Sequence, residues 1–172
     1  MGFGMLAIPM FFPLLGMNYD ISGGMMGLIL CTPALTSIVA IPIINKFVGL
    51  FGIEFTIFTA GILYGLAYLV IGLTVLTTTS AAFLSISFIC SIMIGFSTAC
   101  NIVGEQALLL RYSIKSEREK NLGLFRSASG VGGLFSPLIC SGMYAWGGFM
   151  AVFMFIGAGY LLICPLIYCS LY

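Results

Sequence analysis

Histidine is absent from the 172 residues, and charge is scarce: six Lys and Arg, five Asp and Glu, together 6% of the chain. Without imidazole the sequence lacks the side chain most often used as a general base or metal ligand near neutral pH. A soluble domain carries about 25% charged residues, so this chain could not clothe a water-facing surface. A formal net charge of +1 offers no basic footprint for nucleic acid. The six cysteines, Cys31, Cys90, Cys100, Cys140, Cys164 and Cys169, all lie in apolar runs with no C-x-x-C spacing, and read as small packing residues rather than ligands or a disulfide framework. With no carboxylate cluster and no nucleophile motif, no catalytic residue, metal site or cofactor is expected, and an enzyme is disfavoured.

What the sequence has in abundance is apolar length. Hydrophobic residues make up 61% of the chain and the mean hydropathy is +1.20. A transmembrane barrel would alternate polar and apolar residues along strands of about ten residues. The apolar runs here are much longer and unbroken, so the expected fold class is all-α, a polytopic transmembrane bundle without a soluble domain. At about 20 residues per crossing, six helices fit one domain over 1–172, near 1–18, 22–45, 54–77, 80–112, 120–144 and 148–171. The first stretch, Met1–Met17, carries no basic n-region of a signal peptide and is short for a crossing, which leaves room for a preceding segment.

The connections divide by charge. Every basic residue (Lys46, Arg111, Lys115, Arg118, Lys120, Arg126) falls in or beside the second-to-third and fourth-to-fifth connections, while the alternate connections carry only Asp20. The positive-inside rule then puts the basic side, and by parity both termini, in the cytoplasm. Which membrane the chain occupies is open. The segment Tyr112–Lys120 alternates in sign and reads as a short interfacial helix or a solvated loop.

Small residues recur four apart: Gly23 and Gly27; Gly61 and Gly65; Ser91, Gly95 and Ala99; Gly132, Ser136 and Cys140; Ser129, Gly133, Pro137 and Ser141. Such ridges let helices approach closely in lipid, and Gly132, Gly133 and Pro137 are expected to serve packing, with Pro137 kinking its helix.

The fourth helix carries the polar candidates. At about 100° per residue, Ser87, Ser91, Thr98, Asn101 and Glu105 share one face. A polar stripe on a spanning helix faces a cavity or other helices rather than lipid, and both readings are open. Glu105 is the one carboxylate well inside an apolar run, and its burial as a charge calls for a partner or water. Arg126 sits at similar depth on the fifth helix, so a Glu105–Arg126 ion pair is expected, structural or gating.

These features together resemble a known family. Ile8-Pro-Met-Phe-Phe-Pro13 is similar to the end of helix one in major facilitator superfamily transporters. Pro42–Gly52 occupies the place of their signature loop, and Ser91-Ile-Met-Ile-Gly95 has the spacing of the family's R-x-x-Q-G. Glu117–Lys120 leading into Gly123 is similar to the fourth-to-fifth connection, and Gly132-Gly-Leu-Phe-Ser-Pro137 to the antiporter signature of helix five. The chain resembles the N-terminal six-helix half, loosely of the vesicular amine and polyamine branch. It departs from the pattern at Gly49, where an acid usually stands, at Ile53 and Glu54 in place of basic residues, and at Ser91 in place of arginine.

The resemblance implies transport of a small solute by alternating access, with helices one, two, four and five lining the cavity. Ser91, Thr98, Asn101 and Glu105 would meet the substrate, an organic cation suiting Glu105. Lys46, Gly52, Glu105, Arg118 and Arg126 would serve gating, and coupling would be proton antiport. The expected partners are the solute, the bilayer, and a second six-helix half or a second copy, since such transporters bind at the interface of two repeats. The chain then reads as a fragment or half-transporter; a degenerate, non-transporting paralogue or a helical partner subunit is the alternative.

Overall fold

The computed structural model describes the backbone of residues 2–171 and, within them, the side chains of all but 2–7, 167, 170 and 171. Met1, assigned above to the first helix, lies outside the described residues. The elements are α1 (Gly2–Met17), α2 (Gly23–Phe51), α3 (Ile53–Leu73, continued by a 3-10 turn over Thr74–Leu76), α4 (Ser80–Tyr112) and α5 (Arg118–Leu171), with a second 3-10 turn at Lys115–Glu117. No strand occurs among the described residues.

Local chemistry sets these boundaries. Ser22 caps α2 by accepting a hydrogen bond from the Met25 N–H at 3.4 Å, and Thr79 caps α4 through the Ala82 N–H at 3.4 Å, each satisfying one of the donors a helix start leaves free. Between α2 and α3 only Gly52 intervenes. Its φ of 91° lies where a side chain would be strained, and its N–H closes α2 by donating to the Val48 carbonyl. The second helix expected to end at 45 therefore runs to Phe51. With no polar run to stop it, the supposed loop is helix up to the single residue able to reverse the chain. The interfacial segment 112–120 is likewise a short 3-10 turn between two long helices.

The largest difference from expectation is at the end. The helices expected at 120–144 and 148–171 are arms of one 54-residue element, α5, so the count falls to five rather than six. A straight α5 would extend about 80 Å, far beyond the roughly 30 Å of a hydrocarbon core. The element breaks at Gly147 (φ −144°, ψ 19°) and Gly148 (φ 66°, ψ −160°), and not at Pro137, where helical dihedrals continue. Tyr144 and Phe149 meet edge-on across the break, 4.8 Å between centroids. Two glycines suffice because the positive φ at Gly148 is free of cost only for a residue without Cβ.

Four helices are long and apolar enough to cross a bilayer, Gly23–Phe51, Ile53–Leu76, Ser80–Tyr112 and Lys115–Leu166, and Ile8–Met17 is a shorter apolar helix. Contacts fix their order. The second arm of α5 (149–171) runs antiparallel to α3: Gly72 lies against Phe153 and Met154, Gly65 against Gly157 and Leu161, Gly61 against Cys164. The first arm (118–146) lies on α1, where Phe11 and Tyr144 rings are 5.7 Å apart. Helix α4 is sandwiched between α2 and α3, with Gly95 against Pro33 and Thr36, and Gly104 against Ile57. The main core holds Phe12, Leu15, Tyr64, Tyr68, Phe83 and Phe153; a smaller one holds Ala40, Ile44, Ala60, Ala99, Cys100 and Val103.

The two ends are tied differently. At the Asp20 end the Tyr19 hydroxyl donates to the Thr74 carbonyl at 2.8 Å, the Ser80 hydroxyl donates to the Tyr19 carbonyl at 3.0 Å, and the Tyr19 ring stacks on Phe83 at 4.4 Å. At the basic end Arg111, in the last turn of α4, pairs with Glu54, in the first turn of α3, at 2.5 Å. Each charge also sits at the helix terminus whose dipole favours it.

Candidate functional site

The polar stripe of α4 folds inward. Ser87, Ser91, Thr98 and Asn101 are buried, and Glu105 is half-buried. The stripe is not one continuous wall, because its members open into two separate recesses.

The first recess, about 360 Å³, lies among α1, α2, α3 and α4. Its lining includes Pro9, Pro33, Ser37, Tyr64, Tyr68, Ile94 and Thr98. Thr98 donates to the Ile94 carbonyl at 2.8 Å, and its oxygen lies 2.5 Å from the Tyr64 hydroxyl. Since the Thr98 proton is committed to Ile94, the Tyr64 hydroxyl donates to Thr98. The phenolic oxygen keeps acceptor capacity in an otherwise apolar cavity. Tyr64 is a site residue that the sequence reading missed. It lies on α3, away from the stripe, and looks like any aromatic in an apolar run; only the antiparallel packing of α3 on α4 brings it to Thr98. One residue away, the Ser97 hydroxyl donates across the same interface to the Ala60 carbonyl.

The second recess, about 190 Å³, lies between α4 and the first arm of α5, lined by Ile102, Glu105, Gln106, Leu109, Leu122, Phe125 and Arg126. Asn101 donates through Nδ2 to Glu105 Oε1 at 2.8 Å, one helical turn apart. The Asn101 Oδ1 is buried with no hydrogen-bond partner, an arrangement that costs about 1–3 kcal/mol and stands out in a native fold. Ser87 Oγ, nearer the other end of the stripe, is the other such buried atom among the described residues.

The expected Glu105–Arg126 ion pair is not formed. The two side chains face the same recess, yet among the described residues Arg111–Glu54 is the one ion pair. Both residues do share a level, as expected from their depths, but the first arm stands off from α4 and leaves a gap between them. The Glu54–Arg111 pair went unrecognised although its signal was present: an acid opening one helix and a base closing its antiparallel neighbour.

The other expected gating residues separate. Gly52 is the α2–α3 turn. Lys46 is exposed beside Pro42, Phe47 and Leu50 and makes no ion pair. Arg118 donates to the carbonyls of Leu110 at 3.1 Å and Ser113 at 3.4 Å, covering acceptors that the end of α4 leaves free. Ser91 is buried on α4 beside Gly95, within neither recess. Of the expected packing residues, Gly133 is buried and Pro137 half-buried, but Gly132 has open space where a Cβ would stand.

A bundle of long apolar helices with a polar stripe turned inward is a multi-pass membrane protein of transporter type. The family model of the Major Facilitator Superfamily matches the chain over residues 1–172. The chain belongs to that superfamily, whose members are secondary transporters of small solutes in the lipid bilayer. No curated protein matches the chain, and no solved structure does.

Proposed function

We propose that the chain moves a small organic cation by alternating access, with Glu105 as the residue that receives the cationic group. The observation that carries this is the arrangement around Glu105: a carboxylate without an ion-pair partner, steadied by Asn101 and open to a recess. A carboxylate held this way within a spanning helix is costly unless wetted or bound to a cation. Ser91, Thr98 and Asn101 continue the polar path along the same face of α4, and coupling to protons by antiport completes the reading. The basic end faces the cytoplasm, in keeping with the positive-inside rule. The finer likeness to amine and polyamine transporters belongs to the same proposal.

Alternating access needs a second wall. The helices with the most uncovered surface are α2 and the first arm of α5, and the arm's exposed surface includes Arg126, Ser127 and Ser141 beside apolar residues. Polar and charged residues are poor company for lipid tails, which favours a second six-helix half or a second copy against this face. Such a face also suits a helical partner subunit that does not transport.

The test is uptake of radiolabelled tetraethylammonium into proteoliposomes under an imposed proton gradient. Transport above protein-free vesicles, reduced roughly tenfold or more by Glu105→Gln, is the expected result, the scale of one lost hydrogen bond to a charged group. No uptake by folded, inserted protein would replace this reading with the partner-subunit one.

A further inference from the structure

The recess between α4 and the first arm of α5 holds two opposite charges that do not meet. Glu105 lies about 10 Å along the axis from the end of α4, and Arg126 about 12 Å from the start of α5, so both stand at one level. Long side chains at one level, facing one gap, ordinarily collapse into an ion pair. Here Glu105 is held back by Asn101, bonded at Oε1, which leaves its second oxygen for another donor. Arg126 makes no hydrogen bond or ion pair among the described residues, and its guanidinium offers five donors in a planar fork. Gln106 adds an amide on the α4 side, while Ile102, Leu109 and Phe125 supply apolar walls.

We propose that this recess binds a small zwitterion, an amino acid or betaine, with its ammonium at Glu105 and its carboxylate on Arg126. The inference rests on the transport reading above and narrows its cationic solute to one that also carries an acid. A cation alone would satisfy Glu105 and leave Arg126 facing an apolar-walled gap with no counter-charge; an anion alone would do the reverse. A zwitterion answers both charges and adds no net charge within the bundle. Its carboxylate can take two parallel N–H bonds from the guanidinium fork. About 190 Å³ is room for several waters or for a molecule the size of alanine, so the class is confined to short zwitterions.

The test is calorimetric titration of the full-length protein in lipid nanodiscs with L-alanine, L-alaninamide and L-lactate, which share a shape and differ only in charge. Alanine should bind at least about tenfold more tightly than either single-charge relative, the equivalent of one charge-assisted contact. Arg126→Gln should bring alanine down to the level of alaninamide, and Glu105→Gln to that of lactate. Arg126→Lys, which keeps the charge and loses the fork, should fall between. Thermal unfolding of each variant separates lost binding from lost folding. Equal binding of alanine and alaninamide, unchanged by Arg126→Gln, would overturn the zwitterion and leave the cation reading standing. Binding of none of the three by folded protein would also overturn it, while tetraethylammonium uptake decides the cation reading independently.

Discussion

Helix α3 and the first arm of α5 are both apolar and glycine-rich, and their glycines do opposite things. In α3 a Cβ on Gly61, Gly65 or Gly72 would press on the second arm of α5; on Gly65 it would stand 2.6 Å from Leu161 and 3.1 Å from the Gly157 carbonyl. In the first arm, Gly123, Gly130, Gly132 and Gly142 have nothing within 4 Å of such a Cβ. The same spacing is thus a packing ridge in one helix and an uncovered stripe in the other. Half of the most apolar stretch of α3 is buried, against 28% of the matching stretch of α5. In lipid, where apolar surface gains nothing by leaving the tails, close backbone approach is what holds helices together. An uncovered row of small residues is therefore a surface still able to receive another helix.

The sharpest way to break this contrast is to fill both rows. Gly65→Leu should abolish folding or lower stability by more than about 3 kcal/mol, since neither the Gly157 carbonyl nor the helix behind Leu161 can give way. Gly132→Leu should leave stability within about 0.5 kcal/mol. Both are read by denaturant titration in detergent. Equal damage from the two would mean that the first arm is covered in the assembled protein.

A milder version lies at the α2–α4 contact. Gly95→Ala would set a methyl 2.5 Å from the Pro33 carbonyl and 2.6 Å from Thr36, and should cost about 1–3 kcal/mol; Gly130→Ala, with open space, serves as its control. Tyr64→Phe removes the hydrogen bond to Thr98 while Thr98 keeps the Ile94 carbonyl, so a loss of about 1 kcal/mol is expected. The smallest effect is assigned to the basic end. The Arg111 side chain is 55% exposed, and Arg111→Gln should cost about 1 kcal/mol or less, shrinking as salt is raised. A larger, salt-independent loss would show that the pair is shielded from solvent by something beyond these helices.

Much of the architecture was legible because single residues announce it. The scarcity of charge required a membrane solvent, the long apolar runs required helices, and the limits 80–112 for α4 follow from Thr79 as a cap and the charged turn after Tyr112. Where the reading failed, the signal was a contact rather than a composition. Lys46–Phe51 looked like a loop because Lys46 and two glycines sit there, yet Gly52 alone turns the chain. Gly147 and Gly148 looked like a connection between separate helices, and they are a break within one element.

The candidate site divides in the same way. Helical periodicity alone put Thr98, Asn101 and Glu105 on one face, since a period of 3.6 residues is a property of the backbone and holds before any packing. What that face meets was decided by the tertiary structure. Tyr64 reaches Thr98, Glu54 reaches Arg111, and Glu105 and Arg126 are held apart across a recess, because hydrogen bonds and ion pairs depend on distances of a few tenths of an ångström. Those distances are set by how closely two helix backbones can approach, and hence by which glycines lie against a neighbour and which do not.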